Sequence, residues 1–302
     1  MPASRILRWL APLALILLAA LPLAAREASV YFTVEKDGAL ISGLTEKNFH
    51  LYEDGELRPF RLAQPEKPAS VAVLVEYSRL SWFYFSDIVD AMDGFFQKAP
   101  EGNWYALATF DKDLHIRVDF TKLRGKITSS FNDLSMPEWS EVNTYDAVYE
   151  MLDRMNQLPG RRVLIVIGSG ADTFSKVSLK DVKRKAEQAN VTIYGVGAGS
   201  MLRGMYDAYL SEAERMDLLQ SEAFLRMLAD KTGGEAWFPR FEGAFLDVME
   251  GVMQSLAYQY RLVYDSRIPN DGKFHKIRLE AFRVVNDRRE DFKTRIREGW
   301  RS

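Results

Sequence analysis

The most apolar stretches of this chain are short, rich in β-branched residues, and end abruptly in polar groups. Val71-Ala72-Val73-Leu74-Val75 runs straight into Glu76-Tyr77-Ser78-Arg79-Leu80-Ser81. Five consecutive apolar positions, too few for a helix, fit a strand buried on both faces of a parallel sheet. Residues 104–110, 162–168 and 191–197 read the same way, and 114–118 and 235–238 as further short strands. The segments between them carry helical spacing. Helices are expected at 82–98, at about 121–133, and at 144–157, where Val148, Met151, Leu152 and Met155 share a face. Ser178 with Asp181 three residues on opens another, whose buried stripe is Leu179, Val182, Ala186 and Ala189. Residues 200–232 continue as helix, with an extra segment from Met201 to Gln220, and stop at Gly233-Gly234. A long helix carrying Phe241, Phe245, Val248, Val252 and Leu256 follows. Alternation of this kind predicts an α/β fold, a doubly wound, mostly parallel sheet covered by helices.

The flanks have a different rhythm. Residues 29–66 read as a β-rich segment with tight turns at Asp37-Gly38 and Asp54-Gly55. Gln64-Pro65-Glu66-Lys67-Pro68 is a linker, because proline suits neither a helix interior nor a central strand. From 260 to 302 the chain is β-rich again, with strands at 260–264, 274–282 and 292–297 and a turn at Asn270-Asp271-Gly272. Each flank alone has too few strands to bury a face. The two are therefore expected to pair as a sandwich-like β domain, with the α/β domain, residues 69–259, inserted between them.

Composition changes this picture only at the N-terminus. Among 302 residues, 47% are hydrophobic and 27% charged, as in ordinary globular proteins. Residues 1–25 read as a signal peptide: Arg5 and Arg8, an apolar run from Trp9 to Leu23, then Leu23-Ala24-Ala25. The other reading is an uncleaved anchor, the one route by which a membrane enters. Cleavage predicts an exported, periplasmic or extracellular protein. Without any cysteine, thiol and disulfide chemistry are excluded. Loss of the two N-terminal Arg leaves 38 of the 40 basic residues against 42 acidic ones, a net charge of −4 with no long basic block, which argues against nucleic acid as a partner.

Several stretches, in order and spacing, resemble the bacterial VWFA-related family of acidobacterial type. They are Asp37-Gly38 with Ile41-Ser42-Gly43-Leu44-Thr45, Tyr52-Glu53-Asp54-Gly55, Tyr145-Asp146-Ala147-Val148-Tyr149, Asp172-Thr173-Phe174-Ser175, Thr232-Gly233-Gly234 and Gln259-Tyr260-Arg261-Leu262. The resemblance implies a von Willebrand factor A (vWA) domain, no enzymatic activity, and a Mg²⁺ adhesion site reading Asp-x-Ser-x-Ser at the end of the first strand. Carried over by position, that site falls on Glu76, Ser78, Leu80, Val142 and Ser169. Only Ser78 keeps its ligand type, and Glu76 keeps the charge with an added methylene. Ser81 and Thr144 lie out of register, and Asp172, Glu138 and Glu141 are the acids from which an atypical site would have to be rebuilt. Mg²⁺ tolerates little geometric error, so the expectation is a degenerate site without a cofactor.

Other patterns lead nowhere. Gly195-Val196-Gly197-Ala198-Gly199 lacks the spacing of a dinucleotide loop. Gly168-Ser169-Gly170 is not a nucleophile elbow, and His50, His115 and His275 are scattered. The remaining signal is aromatic. Trp82-Phe83-Tyr84-Phe85 follows the first strand, Trp139 lies in the 138–143 loop, and Met201, Met205 and Tyr206 begin the extra segment. Trp82, Tyr84, Trp139, Met201 and Tyr206 are therefore the expected contacts with a protein partner at the sheet's C-terminal edge. The alternatives are a Mg²⁺-dependent adhesion module with an atypical site, and an enzyme or nucleotide-binding α/β protein.

Overall fold

The computed structural model describes residues 26–241 and 243–302. The expected signal peptide, residues 1–25, lies outside them. The described chain opens with β1 (Arg26–Lys36), β2 (Ala39–Leu40), β3 (Phe49–Glu53), β4 (Glu56–Arg58) and β5 (Phe60–Ala63). The α/β part follows: β6 (Ser70–Glu76), α1 (Phe85–Lys98), β7 (Trp104–Phe110), β8 (Leu114–Thr121), α2 (Arg124–Asn132), α3 (Thr144–Asn156) and β9 (Arg162–Gly168). It continues through α4 (Leu179–Gln188), β10 (Thr192–Gly197), α5 (Gly199–Tyr206), α6 (Glu212–Thr232), β11 (Ala236–Trp237) and α7 (Ala244–Ala257). The chain closes with β12 (Tyr260–Ser266), β13 (Phe274–Val285), β14 (Arg288–Ile296) and β15 (Gly299–Arg301).

The central sheet runs β11-β10-β9-β6-β7-β8, parallel except for β8, which is antiparallel to β7. Counted from β6 this is the order 3-2-1-4-5-6 of a doubly wound sheet, as the alternation predicts. Side chains alternate across it. Val71, Val73 and Val75 meet Ile88, Met92 and Phe95 of α1 and Phe245, Met249 and Val252 of α7. Ala72 and Leu74 meet Val148, Met151 and Leu152 of α3 and Leu228 of α6. Both faces of β6 are thus dry, which explains its unbroken apolar run. Phe241, expected inside the last helix, instead lies ahead of α7 and is exposed. The expected helix over 200–232 breaks into α5, a 3₁₀ turn (Asp207–Tyr209) and α6, which Ser211 caps by accepting from the Glu214 N–H. Among the described residues, no helix is long and apolar enough to cross a membrane.

The flanks do pair, β1 with both β12 and β14, and β3 with β13, but the result is one continuous sheet. Its path is β4-β3-β13-β14-β1-β12-β5, with β2 and β15 added alongside. A flat sheet would hold β3 and β12 about 19 Å apart. Instead the rings of Phe49 and Tyr260 lie 5.8 Å apart, and Phe32 packs on both at 5.3 and 5.2 Å. The two ends of the path, β4 and β5, are separated in the chain by Pro59 alone. That short link forces the sheet to curl until its edges nearly meet, so a near-barrel replaces the expected sandwich. Inside it, buried Glu53 accepts from the Tyr264 hydroxyl (2.9 Å), the Ser266 hydroxyl (2.7 Å) and the Arg267 N–H (3.0 Å).

The near-barrel sits at the N-terminal edge of the parallel sheet. Buried Arg161, just before β9, donates to the carbonyl of Leu256 and to Gln259, whose amide reaches the Tyr194 hydroxyl. Buried Arg297 donates to the carbonyls of Ala189 and Glu187 at the end of α4. Gly233 has φ +79°, and a side chain there would collide with the backbone of Ile296 and Arg297. The opposite, C-terminal edge of the sheet is left uncovered by the β-rich part. His275 is held between Asp54 (2.7 Å) and Asp271 (3.1 Å), consistent with a satisfied structural histidine.

Candidate functional site

In a sheet of this order the natural crevice lies where strand order reverses, between the C-terminal ends of β6 and β9. Glu76 ends β6 there and Ser169 follows β9. Glu76 is fully buried. Its Oε1 accepts from the Ser78 hydroxyl at 2.7 Å, and its Oε2 accepts from both the N–H and the hydroxyl of Ser169 at 2.6 Å. The added methylene relative to aspartate carries the carboxylate across to the neighbouring strand. Gly168 makes the room: a Cβ at that position would lie 2.7 Å from Cβ and Oε2 of Glu76. Burial raises the Glu76 pKa above the usual carboxylate value, and the bonds from Ser169 and Ser78 pull part of that rise back.

The surrounding loops are equally self-contained. The Ser78 N–H donates to Ser81 Oγ at 2.9 Å, and the Ser81 hydroxyl returns to the Ser78 carbonyl at 2.9 Å. Thr144 donates to the Ala171 carbonyl. The Val142 N–H donates to Thr173 Oγ1 at 2.8 Å. Asp172 accepts from the Tyr145 N–H (2.9 Å) and the Ser175 hydroxyl (2.6 Å). Leu80 packs on the core and Val142 is buried.

This arrangement does not fit Mg²⁺. Glu76 is buried without solvent access, and Leu80 and Val142, at two of the positions that carry ligands, have no side-chain oxygen to offer. Among the described residues, no three His, Asp or Glu side chains gather as a metal site. Nor can Glu76 serve an external substrate as a base, since no solvent reaches it. The crevice is closed by the chain's own side chains, and what it does is tie β6 to β9.

The aromatic residues divide. Tyr84 and Met201 are buried and so are corrected from partner contacts to core residues. Tyr84 follows Ser81 by one turn of a 3₁₀ helix (Ser81–Tyr84), so both point inward. The Tyr84 hydroxyl faces Glu76 and the Ser169 backbone without a hydrogen bond of normal geometry. Burial, then the charge of Glu76, pushes its pKa well up. Trp82, Phe83, Trp139 and Tyr206 remain accessible, Phe83 at 66%. They are held rather than loose. Trp82 stacks on Phe85 at 5.4 Å, Phe83 meets Tyr206 at 6.2 Å, and the Lys112 ammonium sits 3.7 Å above the Trp139 ring. The Arg79 N–H bonds the Trp139 carbonyl at 2.8 Å, joining the two loops.

Two open cavities flank the closed crevice. One, of about 660 Å³, is lined by Tyr77, Arg79, Asp111, Arg117, Glu138 and Trp139 among others. The other, of about 290 Å³, lies beside α5. Sequence reasoning missed both, together with the part played by Gly168. The glycine's necessity depends on a side chain on another strand, and no local spacing records it.

No protein-family model matches the chain, and neither does any curated protein. Solved structures do show likenesses. An aerotolerance-related membrane protein from Bacteroides fragilis is 12% identical, over 62% of this chain and 98% of that one, with a TM-score of 0.46. The vWF domain of the type V pili tip protein Mfa5 from Porphyromonas gingivalis is 11% identical over 63% and 95%, at 0.47. The ArnB paralog VWA2 from Sulfolobus acidocaldarius is 11% identical over 90% and 75%, at 0.45. At these scores they stand as likenesses only, and the reading of the fold rests on its own strand order.

Proposed function

We propose that this chain is an exported, non-enzymatic vWA-like protein of the VWFA-related type that binds a protein partner, without a metal, through the C-terminal edge of its parallel sheet. The observation that carries the reading is the state of Glu76. Its carboxylate is buried and hydrogen-bonded by Ser78 and Ser169, which supports a switch point used as a structural link rather than as a metal or catalytic centre. What the edge presents instead is a set of braced aromatic side chains, Trp82, Phe83, Trp139 and Tyr206. Anchored aromatics of this kind dominate the energetics of protein interfaces. The N-terminal segment, Arg5 and Arg8 followed by the apolar run from Trp9 to Leu23, supports export.

Site-specific photo-crosslinking in the native cell envelope tests this. A photoreactive residue replacing Phe83 is expected to trap a discrete protein adduct, while one replacing Leu57, exposed on β4, traps none. Trp82→Ala combined with Trp139→Ala lowers the yield roughly tenfold. Adducts from position 57 alone, or a yield unaffected by the double substitution, would place the interface elsewhere.

A further inference from the structure

We propose that the protein partner of this edge presents an acidic segment with apolar side chains, received by the loop after β9 and the first turns of α4. This rests on the protein-binding reading and names the chemistry of the partner. Residues 169–178 leave the C-terminal end of β9 and lead into α4, so the loop and the start of that helix lie at the same edge.

Two apolar side chains stand bare there, Phe174 at 76% exposure and Leu179 at 45%. The loop that carries Phe174 is tied down. The Thr173 N–H donates to the Val142 carbonyl at 2.7 Å and the Phe174 N–H to Asn143 Oδ1 at 3.1 Å. The N–H groups of Lys176 and Val177 donate to Asp146 at 3.0 and 2.9 Å. A backbone already fixed thus displays the ring, so little ordering is left to oppose binding.

The charge beside these side chains is one-sided. The chain has a net charge of −2, yet residues 172–185 hold five basic residues against two acids, Asp172 and Asp181. Both acids are engaged. Asp172 accepts from the Tyr145 N–H and the Ser175 hydroxyl, and Asp181 accepts from the Ser178 hydroxyl at 2.6 Å and pairs with Arg184 at 2.9 Å. On the neighbouring α3, Glu150 pairs with Arg154 and Asp153 with Lys185. Lys176, Lys180 and Lys183 are exposed and make no ion pair among the described residues. Lys176 follows Phe174 by two residues, and Lys183 neighbours Leu179 on the helix surface, four positions on. Three free ammonium groups accompany two free apolar side chains. Carboxylates interleaved with apolar residues are the complementary pattern.

Photo-crosslinking of the full chain in the native cell envelope reads this out, with a photoreactive residue replacing Phe174 or, separately, Phe83. Both positions are expected to trap the same protein, and the peptide joined at 174 to carry more Asp and Glu than Lys and Arg. Lys176→Gln, Lys180→Gln and Lys183→Gln combined, exposed changes that leave the fold intact, lower the yield at 174 roughly tenfold. An adduct at 83 with none at 174 overturns the assignment and spares the protein-binding reading; no adduct at either overturns both. A neutral or basic crosslinked peptide, or a yield unmoved by the triple variant, also overturns it. So does co-sedimentation with phosphatidylglycerol vesicles at physiological ionic strength that the triple variant loses, which would assign the patch to a lipid surface.

Discussion

Glu76 turns a position where a metal ligand is expected into a structural link. Three donors converge on its carboxylate, yet removal from water still outweighs them and its pKa is raised. The sign of the pH dependence follows. A carboxyl group with a raised folded pKa contributes stability that is fully present below its unfolded value, near 4.5, and is lost as pH rises through the folded value. Glu76→Gln removes that titration. Urea unfolding at pH 4.5 and pH 8 is expected to show the cost of the substitution shrinking from the lower to the higher pH. A constant cost across that range would show that the carboxylate titrates normally. The substitution of the acid was legible from position alone. Its consequence was not, because it depends on Gly168 and Ser169 across the strand boundary.

At the scale of elements, the turn after β6 decides which aromatic side chains face out. Sequence spacing predicts a helix from 82 onward, in which the burial of four successive aromatics is ambiguous. The chain instead makes one 3₁₀ turn before α1, and its three-residue period buries Ser81 and Tyr84 together while turning Trp82 and Phe83 outward. Local propensity does not separate these two helix types, so the division was illegible. Tyr84 now carries a testable oddity, a buried hydroxyl near a carboxylate and without a good partner. Tyr84→Phe keeps the ring and removes that hydroxyl, so its effect on unfolding is expected to lie between neutral and about 1 kcal/mol stabilising. A loss of 2 kcal/mol or more on this rough scale would mean that the hydroxyl makes a strong bond. Other elements were read well. β6 and β9 announce themselves by apolar runs and α4 by its Ser178–Asp181 cap, although Leu179, expected in the buried stripe of α4, is exposed in its first turn.

Across the whole molecule, the two sheets divide their tasks by position. The near-barrel, pinned by Arg161 and Arg297, occupies the N-terminal edge of the parallel sheet and leaves the C-terminal edge uncovered. Pairing of the two flanks could be anticipated, because neither has strands enough alone. Their closure into one curled sheet could not, since β4 and β5 are only three and four residues long and carry little pattern. At the free edge the loops bind each other where a metal site is expected, and the exposed chemistry is aromatic and cationic. That makes metal independence the most exposed part of the account. Titration of the full chain with Mg²⁺ and Mn²⁺, followed by thermal unfolding, tests it most directly. The expected result is no saturable change in Tm up to millimolar metal beyond that of matched ionic strength; saturable stabilisation in the sub-millimolar range that disappears in Glu76→Gln would contradict it.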